Sequence, residues 1–491
     1  MKISFGTLLL AIGLSAGCAV GPDYHAPKVN TPANWSEAQL GGTTNSAVQI
    51  VEWWRTFHDP ELNSLIERAV TTNYDLRIAD GRLREARALR AGTAWDLGPT
   101  INGGAGYTDV RQSKNSLPFV TTGPVGSQIS SNYLFNYDLY DAHFDASWEI
   151  DVFGGRRRAL ERASALVSSL QEERHDILIS VLAEVARNYV DVRDAQQRLA
   201  IANKNIAAQQ EAVDIARARF RAGLASELDV KQADVLLATT QSQVPMIETA
   251  FKAGVHRLGV LLGREPGALL RELETVAPIP STPPEVPVGL PSDLLRRRPD
   301  VRRAERELAA ATANIGVQTA ELFPKFSLTG VAGFQSFGVG DWFSGGSKYW
   351  SAGPTVTWRL LDYGHVRSQI QTANAQAEQS LAVYDRTVLE ALEDVENAMV
   401  AYAQEQVRHR TLQDAVDASR SAVEISNQLY KNGLTSFLDV VDAERSLYQA
   451  EDALVQSERT VTADLVTLYK ALGGGWETSA GAAAGSPHTK S

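Results

Sequence analysis

One motif occurs twice in this chain, and its repetition constrains the fold more than any other feature. The segment from Phe220 to Val230 returns 210 residues later as the segment from Tyr430 to Val440, with Gly-Leu-x-Ser-x-Leu-Asp-Val in both copies. The same offset relates Trp148 to Trp358. A shared register over such a distance indicates a tandem duplication, so each half should build one copy of the same unit.

Each copy contains a heptad repeat of apolar residues before this motif. The first series is Leu178, Val185, Val192, Leu199, Ile206, Val213 and Phe220. The second is Val388, Val395, Tyr402, His409, Val416, Val423 and Tyr430. This period predicts two coiled-coil-like helices of roughly 65 residues, each on the order of 100 Å long. His409 alone interrupts the apolar series, and we interpret it as a packing position rather than a ligand.

The repeated motif itself predicts the turn of a helical hairpin. Gly223 and Gly433 suit the left-handed conformation that ends many helices. Serine and aspartate in capping-box spacing follow in both copies, at Ser226 and Asp229 and at Ser436 and Asp439. A capping box starts a helix, so we expect return helices over residues 226–262 and 436–472.

Four segments alternate between apolar and polar residues, the pattern of strands with one apolar face. They begin near Thr100, Tyr140, Phe326 and Trp350. Soluble hairpins alternate too, but strands of about ten residues with aromatic ends favour an outer membrane. The remaining chain offers no apolar run long enough for a membrane helix, so any spanning part must consist of strands.

Four strands leave two open edges, which hydrocarbon does not tolerate. The sheet must therefore be completed by further copies of the chain. Two copies would supply eight strands, whose interior is filled by side chains, whereas three would supply twelve and leave room for a pore.

Composition excludes several classes of function. The formal net charge of −11 argues against a nucleic-acid partner, and 8 histidines and 1 cysteine give neither metal-site spacing nor a disulfide. Glycine-rich phosphate loops and the HExxH and GxSxG motifs are missing from the sequence. We expect no catalysis, no metal and no cofactor.

The N-terminus has the layout of a secreted lipoprotein. Residues 1–17 carry one basic residue, a short apolar run and small residues, which is typical of a signal peptide. Cys18 follows Ala-Gly and resembles the lipid-attachment cysteine of a lipobox, although Ser15 stands where leucine is usual. A lone thiol near an ordinary cleavage site remains the alternative. Ala19 after the cysteine indicates an outer-membrane address.

The domain organisation follows from these signals. Residues 18–60 are predicted to be an extended N-terminal segment, and residues 278–291, with 6 prolines in 14 positions, separate the two copies. The repeats then occupy residues 61–277 and 292–473. Residues 474–491 are predicted to be a disordered tail.

Several further motifs resemble a known family. The segment from Leu294 to Glu305, Leu-Leu-Arg-Arg-Arg-Pro-Asp-Val-Arg-Arg-Ala-Glu, is similar to a signature of TolC-like outer-membrane factors, specifically the NodT-type lipoproteins of RND efflux systems. The segments 18–24, 53–60 and 315–330 and both hairpin motifs also fit that family. The resemblance covers nearly all of the chain after the signal peptide.

This resemblance implies a fold and a set of partners. The fold would be mixed α and β: a homotrimer whose duplicated strand hairpins form a 12-stranded outer-membrane β-barrel, continuous with a 12-helix periplasmic α-barrel. Outer-membrane lipid, a periplasmic adaptor and an inner-membrane RND transporter would be its partners, and small molecules would leave through it passively. A protein-export channel of a type I secretion system and a periplasmic coiled-coil scaffold without a pore are the alternatives.

The resemblance also implies roles for the tips. Adaptor docking is expected at the tip residues Gly223, Leu224, Ser226, Asp229, Gly433, Leu434 and Ser436. Asp442 has Gln232 as its equivalent, so only the second copy carries two acids one helical turn apart. We predict that Asp439 and Asp442, repeated by symmetry, line a periplasmic gate. Thr435 occupies the position at which TolC-like gates add a basic residue.

Overall fold

The computed structural model of this chain describes residues 19–29, 32–36, 43–44, 51–111, 113, 136–283 and 286–477. The predicted signal peptide, the lipid attachment at Cys18 and residues 478–491 of the predicted tail lie outside these described residues. Helices and strands both occur, which confirms the mixed α and β class.

The described residues form eight α-helices and four long strands in a duplicated order. The helices are α1 (Pro60–Thr72), α2 (Tyr74–Trp95), α3 (Gly155–Arg221), α4 (Glu227–Leu261), α5 (Pro291–Arg297), α6 (Pro299–Ala320), α7 (Tyr363–Lys431) and α8 (Phe437–Ala471). The strands are β1 (Thr100–Arg111), β2 (Asn136–Ile150), β3 (Lys325–Ser336) and β4 (Lys348–Thr357). Each copy thus runs from a shorter helix through two strands to a long helix and a return helix.

The chain divides into two compact units. The sheet unit comprises the described residues within Met1–Ala26, Glu85–Ser168 and Arg306–Ala382. The helical unit comprises those within Pro27–Arg84, Ser169–Glu305 and Val383–Ser491. Four helices, α2, α3, α6 and α7, contribute residues to both units.

The sheet unit contains one antiparallel sheet with the strand order β1-β2-β3-β4. The register pairs Gly104 with His143 between β1 and β2, His143 with Gly333 between β2 and β3, and Gly333 with Tyr349 between β3 and β4. The two predicted hairpins are therefore joined through β2 and β3, whereas β1 and β4 are the edges of this sheet.

The two faces of the sheet differ in chemistry, because directly paired residues project to the same side. One face, the apolar face, carries Ile101, Tyr107, Tyr140, Phe144, Trp148, Phe326, Leu328, Phe334, Trp350 and Val356. The opposite face, the polar face, carries Asn102, Asp141, His143, Asp145, Ser147, Ser327, Thr329, Tyr349 and Thr355. The predicted alternation thus yields a strongly two-sided sheet.

The helical unit is built on the predicted heptad positions. Val185, Val192 and Val213 of α3 and Val395 of α7 are fully buried, and small buried residues such as Ala202 let neighbouring helices approach closely. The main core joins α1, α3, α4 and α8 and includes Leu65, Leu258 and Leu465. In the part of the chain that the structure describes, no helix has the length and apolar character needed to cross a membrane.

The long helices match their predicted extents. α3 contains 67 residues and α7 contains 69, so each is about 100 Å long at 1.5 Å per residue. The return helices α4 and α8 contain 35 residues each and begin directly after Ser226 and Ser436. The predicted helical hairpins are confirmed.

The prediction that residues 18–60 are extended is wrong for residues 53–57. Trp53–Phe57 forms a short 3-10 helix in which Trp53, Trp54 and Phe57 are buried. The Trp53 ring stacks on Tyr469 of α8 with 5.4 Å between ring centroids. Asp59 then caps α1 by accepting hydrogen bonds from the backbone amides of Glu61 and Leu62 at 2.9 and 3.0 Å. Burial of three large rings outweighs the extended preference of the preceding polar residues.

The prediction of a disordered tail is wrong for residues 474–477, which have a defined position in the structure. The Trp476 ring stacks on His175 with 4.6 Å between centroids, and its indole N–H donates to the carbonyl of Arg297 at 3.0 Å. The Arg302 guanidinium lies 5.0 Å from the same ring. Gly475, with a φ of 105°, lets the chain pass close to Leu182. One aromatic side chain with three partners orders this segment.

Candidate functional site

The two tip turns have nearly identical backbone geometry. Gly223 and Gly433 have φ values of 70° and 75°, the left-handed conformation predicted for them. The amides of Leu224 and Leu434 donate back to the carbonyls of Arg219 and Leu429 at 2.8 and 2.9 Å, as in a Schellman motif. No atom lies within 4 Å of a Cβ added at either glycine, so the backbone conformation alone requires glycine there.

The capping interactions differ between the two tips. Asp229 accepts from the Ser226 amide at 2.9 Å while its own amide donates to the Ser226 hydroxyl at 3.3 Å, which confirms the predicted capping box. At the second tip, the amide and the hydroxyl of Ser436 both donate to Asp439, at 3.2 and 2.9 Å. The Thr435 hydroxyl donates to the same carboxylate oxygen. These hydrogen bonds, first from Thr435 and then from Ser436, lower the pKa of Asp439.

Both tips present leucine side chains to solvent. Leu224 is 69% exposed and Leu434 is 73% exposed, and Leu228 and Leu438 beside them are also exposed. Exposed leucines at equivalent places on two polar turns form two small apolar patches. Such patches are typical of surfaces that another protein covers.

The second tip is held by packing that the sequence analysis missed. Tyr430 and Phe437 pack with 5.2 Å between ring centroids, and both are buried. Arg219 of α3 lies 4.5 Å from the Tyr430 ring and donates to the Tyr430 carbonyl at 3.1 Å. Burial raises the pKa of Tyr430. The equivalents of Tyr430 and Phe437 in the first copy are Phe220 and Glu227, and this change of chemistry at fixed register was the available signal.

Asp439 and Asp442 are both exposed on the first turns of α8. The guanidinium of Arg445 donates to Asp442 at 3.1 Å. Thus the second tip does carry a basic residue near its acids, but that residue lies three positions after Asp442 instead of at position 435. The first tip has no acid at the position equivalent to Asp442, since Gln232 stands there.

A polar groove of about 470 Å³ lies between α3, α7 and α8, behind the tips. Gln209 lines it and is only 2% exposed, yet neither its amide oxygen nor its amide nitrogen has a hydrogen-bond partner. Glu444 also lines the groove, and burial raises its pKa. Buried polar groups need partners, so the groove is suited to water or to polar side chains of another protein.

The described N-terminal residues are clamped onto the sheet unit. The guanidinium of Arg158, buried at the start of α3, donates to the carbonyls of Val20 and Gly21 at 3.2 and 3.3 Å and to Asp23 at 2.7 Å. The Val20 amide donates to Phe153, the third residue after β2, at 3.0 Å. We call residues 19–23 the N-terminal clip. It lies beside the point where the chain leaves β2 for α3.

Glycines make the clip possible. A Cβ on Gly21 would lie 2.5 Å from the Cα of Gly316, and a Cβ on Gly154 would lie 2.6 Å from Ala19. Gly21 and Gly154 also have positive φ values of 89° and 79°. Close backbone contact thus explains why both the 18–24 motif and the 315–330 motif contain glycine.

Comparison with known proteins agrees with this architecture. The family model described as outer membrane efflux protein matches residues 65–264 and 290–474. Nodulation protein T of Rhizobium leguminosarum bv. trifolii is 32% identical over 467 residues, covering 94% of this chain and 96% of that protein. The antibiotic efflux pump outer membrane protein ArpC of Pseudomonas putida is 31% identical and covers 98% of both.

A solved structure of the outer-membrane channel OprN is 37% identical to this chain and superposes with a TM-score of 0.86. The match covers 94% of this chain and 100% of that one. Sequence and structure thus agree over both repeats. The chain belongs to the outer membrane efflux protein family.

Proposed function

We propose that three copies of this chain form an outer-membrane exit channel through which small molecules pass from a periplasmic adaptor and an inner-membrane RND pump to the exterior. The observation that carries the proposal is the two-sided sheet with two edges. On one chain, β1 and β4 each pair on one side only. Three chains joined edge to edge would supply twelve strands and leave no edge in hydrocarbon.

The apolar face has the chemistry of a lipid-facing surface. Aromatic residues of this face lie near both ends of the strands, with Tyr107 and Tyr140 at one end and Trp148 at the other, while Trp350 is level with Phe144 between them. The indole N–H groups of Trp148 and Trp358 donate to the carbonyls of Leu97 and Leu322 at 2.9 and 3.1 Å. Amphipathic rings at two levels are typical of outer-membrane strands. The polar face would then line the channel.

A pair of lysine substitutions tests this orientation. Phe144 is 69% exposed on the apolar face, so Phe144→Lys should cost about 2–4 kcal/mol of membrane stability and deplete the protein from outer membranes. Ser147→Lys, three residues along the same strand but on the polar face, is the control and should leave the protein in place. Quantitative fractionation measures both. Equal depletion, or none, would contradict the assignment of the faces.

The channel itself is tested by reconstitution of the purified full chain into planar bilayers. We expect discrete conductance steps, and chemical cross-linking in detergent should give a species of three chains. A protein that reaches the outer membrane but gives no conductance would favour the alternative of a scaffold without a pore.

The tips are the proposed adaptor-docking surface. Leu224 and Leu434 supply exposed apolar contacts, and the adjoining groove supplies buried polar groups without partners, above all Gln209. A docking protein with apolar residues at its end could cover the leucines, and polar side chains behind that end could form hydrogen bonds with the groups in the groove. The chain would thus receive solutes at its helical tips.

We also propose that Cys18 carries a lipid. The N-terminal clip fixes Ala19 beside Gly154, close to the end of β2, where a proposed membrane strand ends. A lipid on the preceding residue would therefore begin near the membrane surface. It would add an anchor to the strands without requiring movement of the clip.

Asp439 and Asp442 are the proposed periplasmic gate. Rings of carboxylates favour cations and resist leakage of anions, and the hydrogen bonds of Asp439 favour its charged form. Replacing both residues with alanine should raise the single-channel conductance and reduce the preference for cations, measured by reversal potentials in a salt gradient.

Asp229→Ala is the matched control for the gate. It removes the equivalent capping carboxylate from the first tip, so it should weaken that helix start by about 1 kcal/mol without changing ion preference. If the double variant keeps the conductance and cation preference of the unmodified protein, the gate lies elsewhere.

A further inference from the structure

A histidine lies between two aspartates at the middle of the polar face. The His143 ring contacts Asp141 through Nδ1 and lies 3.9 Å from Asp145 through Nε2. Both carboxylates have additional donors on other strands. Tyr349 of β4 donates its hydroxyl to Asp141 at 3.0 Å, and Asn102 of β1 donates to Asp145 at 3.0 Å. The three ionisable groups are therefore fixed by contacts that extend across the sheet.

Glycines on both sides make room for the imidazole. His143 pairs directly with Gly104 of β1 and Gly333 of β3. A Cβ on Gly104 would lie 3.0 Å from the imidazole, and one on Gly333 would lie 2.3 Å from the carbonyl oxygen of Ala142. Larger residues at these two positions would displace the ring or separate the strands. The glycines thus let the histidine lie along the sheet beside its carboxylates.

We infer that Asp141, His143 and Asp145 form a cation-selecting band inside the channel, separate from the gate at the helical tips. This inference rests on the proposed function, because it requires the polar face to line a pore made of three chains. Each chain would contribute two carboxylates and one imidazole, so the closed sheet would carry six carboxylates within this band.

Other charges are sparse on this face. Among the described strand residues that project there, the remaining ionisable groups with a charge are Glu149 and Lys325, at the helix-proximal ends of β2 and β3. Glu149 pairs with Arg156 at 2.9 Å and Lys325 pairs with Glu321 at 2.6 Å. Each of these two ion pairs has no net charge. The band is therefore the main net charge that a passing ion would meet along the described sheet.

The groups that face His143 come from four strands. Its own strand contributes Asp141 and Asp145, β1 contributes Asn102 and Gly104, and β3 contributes Gly333 and Gln335. Beyond β3, Tyr349 of β4 reaches Asp141. Asp141 and Asp145 are the carboxylates among these groups, so they supply the negative charge of the band.

Reversal potentials of the reconstituted full chain test the inference. At ~10 mM salt the Debye length is about 30 Å, so fixed charges act across a wide pore, whereas at 1 M it is about 3 Å and their effect should vanish. Asp141→Asn with Asp145→Asn should lower the cation-to-anion permeability ratio by about twofold or more at low salt.

The control removes two charges from the opposite face. Asp109→Asn with Asp138→Asn changes a directly paired couple on the apolar face and should leave the permeability ratio unchanged. Asp145→Asn alone gives a smaller charge change and tests the band even if the double variant assembles poorly. Channels with unaltered selectivity in the band variants would overturn this inference while leaving the proposed function intact. A lack of conductance in the unmodified protein would overturn both.

Discussion

Replacing Arg298 with alanine is expected to lower the free energy of unfolding by about 3–5 kcal/mol, the usual cost of removing one partner from a buried charge cluster. Arg298 is the third arginine of the Leu-Leu-Arg-Arg-Arg-Pro-Asp motif and lies in the helical unit. Its guanidinium donates to Asp300 at 2.6 Å and to Asp394 of α7 at 2.9 Å.

The same guanidinium also reaches two helix carbonyls. It donates to Ala391 of α7 at 3.4 Å and to Ala471, the last residue of α8, at 3.3 Å. Burial works to lower the pKa of Arg298, but Asp300 and Asp394 keep it above its ordinary value. Nearby, burial and the charge of Asp300 raise the pKa of Asp176. Without the arginine, these carboxylates would repel each other with less compensation.

Arg296→Ala is the matched control, because it changes the same residue type two positions earlier. The Arg296 side chain is 82% exposed and lies 3.8 Å from Asp293, an exposed pair whose loss should cost less than about 1 kcal/mol. Urea unfolding of both variants in detergent, followed by circular dichroism, measures the difference. Equal stabilities for Arg296→Ala and Arg298→Ala would show that the Arg298 cluster does not hold these helices together.

Gly21→Ala is expected to release the N-terminal clip. A non-glycine residue at a φ of 89° adds about 1–3 kcal/mol of backbone strain. The new Cβ would also lie 2.5 Å from the Cα of Gly316, a backbone atom that cannot rotate away. Releasing the clip would leave buried Arg158 without the carbonyls of Val20 and Gly21. Limited proteolysis should then cleave within residues 19–29 much faster than in the unmodified protein.

Two further variants make this test specific. Gly316→Ala changes the residue that Gly21 contacts, and its added Cβ would lie 2.8 Å from the Arg158 side chain that holds the clip. Gly92→Ala is the control: Gly92 lies inside α2, nothing lies within 4 Å of an added Cβ, and helix propensity should make the change neutral or slightly stabilising. If Gly21→Ala and Gly316→Ala resist proteolysis within residues 19–29 as well as Gly92→Ala does, then glycine contacts do not hold the clip in place.

The features that sequence predicted well are those encoded locally and repeated. Heptad spacing predicted two helices of roughly 65 residues, close to the 67 and 69 observed, because a buried stripe must recur with the helix period. Gly223 and Gly433 identified the tips, since few residues other than glycine adopt positive φ. Strand alternation likewise identified the two faces of the sheet.

The features that sequence missed depend on partners distant in the chain. Trp476 belongs to the predicted tail, but in the structure it contacts His175, Arg297 and Arg302. The second tip contained Tyr430 in a predicted heptad, but its contact with Arg219 crosses between the two hairpins. Likewise, no local pattern connects Arg158 with the residues of the N-terminal clip.

The sequence alone determined the duplication, the long helices, the turns and the alternation of the strands, because backbone geometry and hydrophobic period act over short distances. Only the tertiary structure decided which charges meet. It joined Arg298 to Asp394 between helices and Arg158 to Asp23 of the N-terminal clip. Such pairings depend on register and helix packing, and these are set by the whole fold.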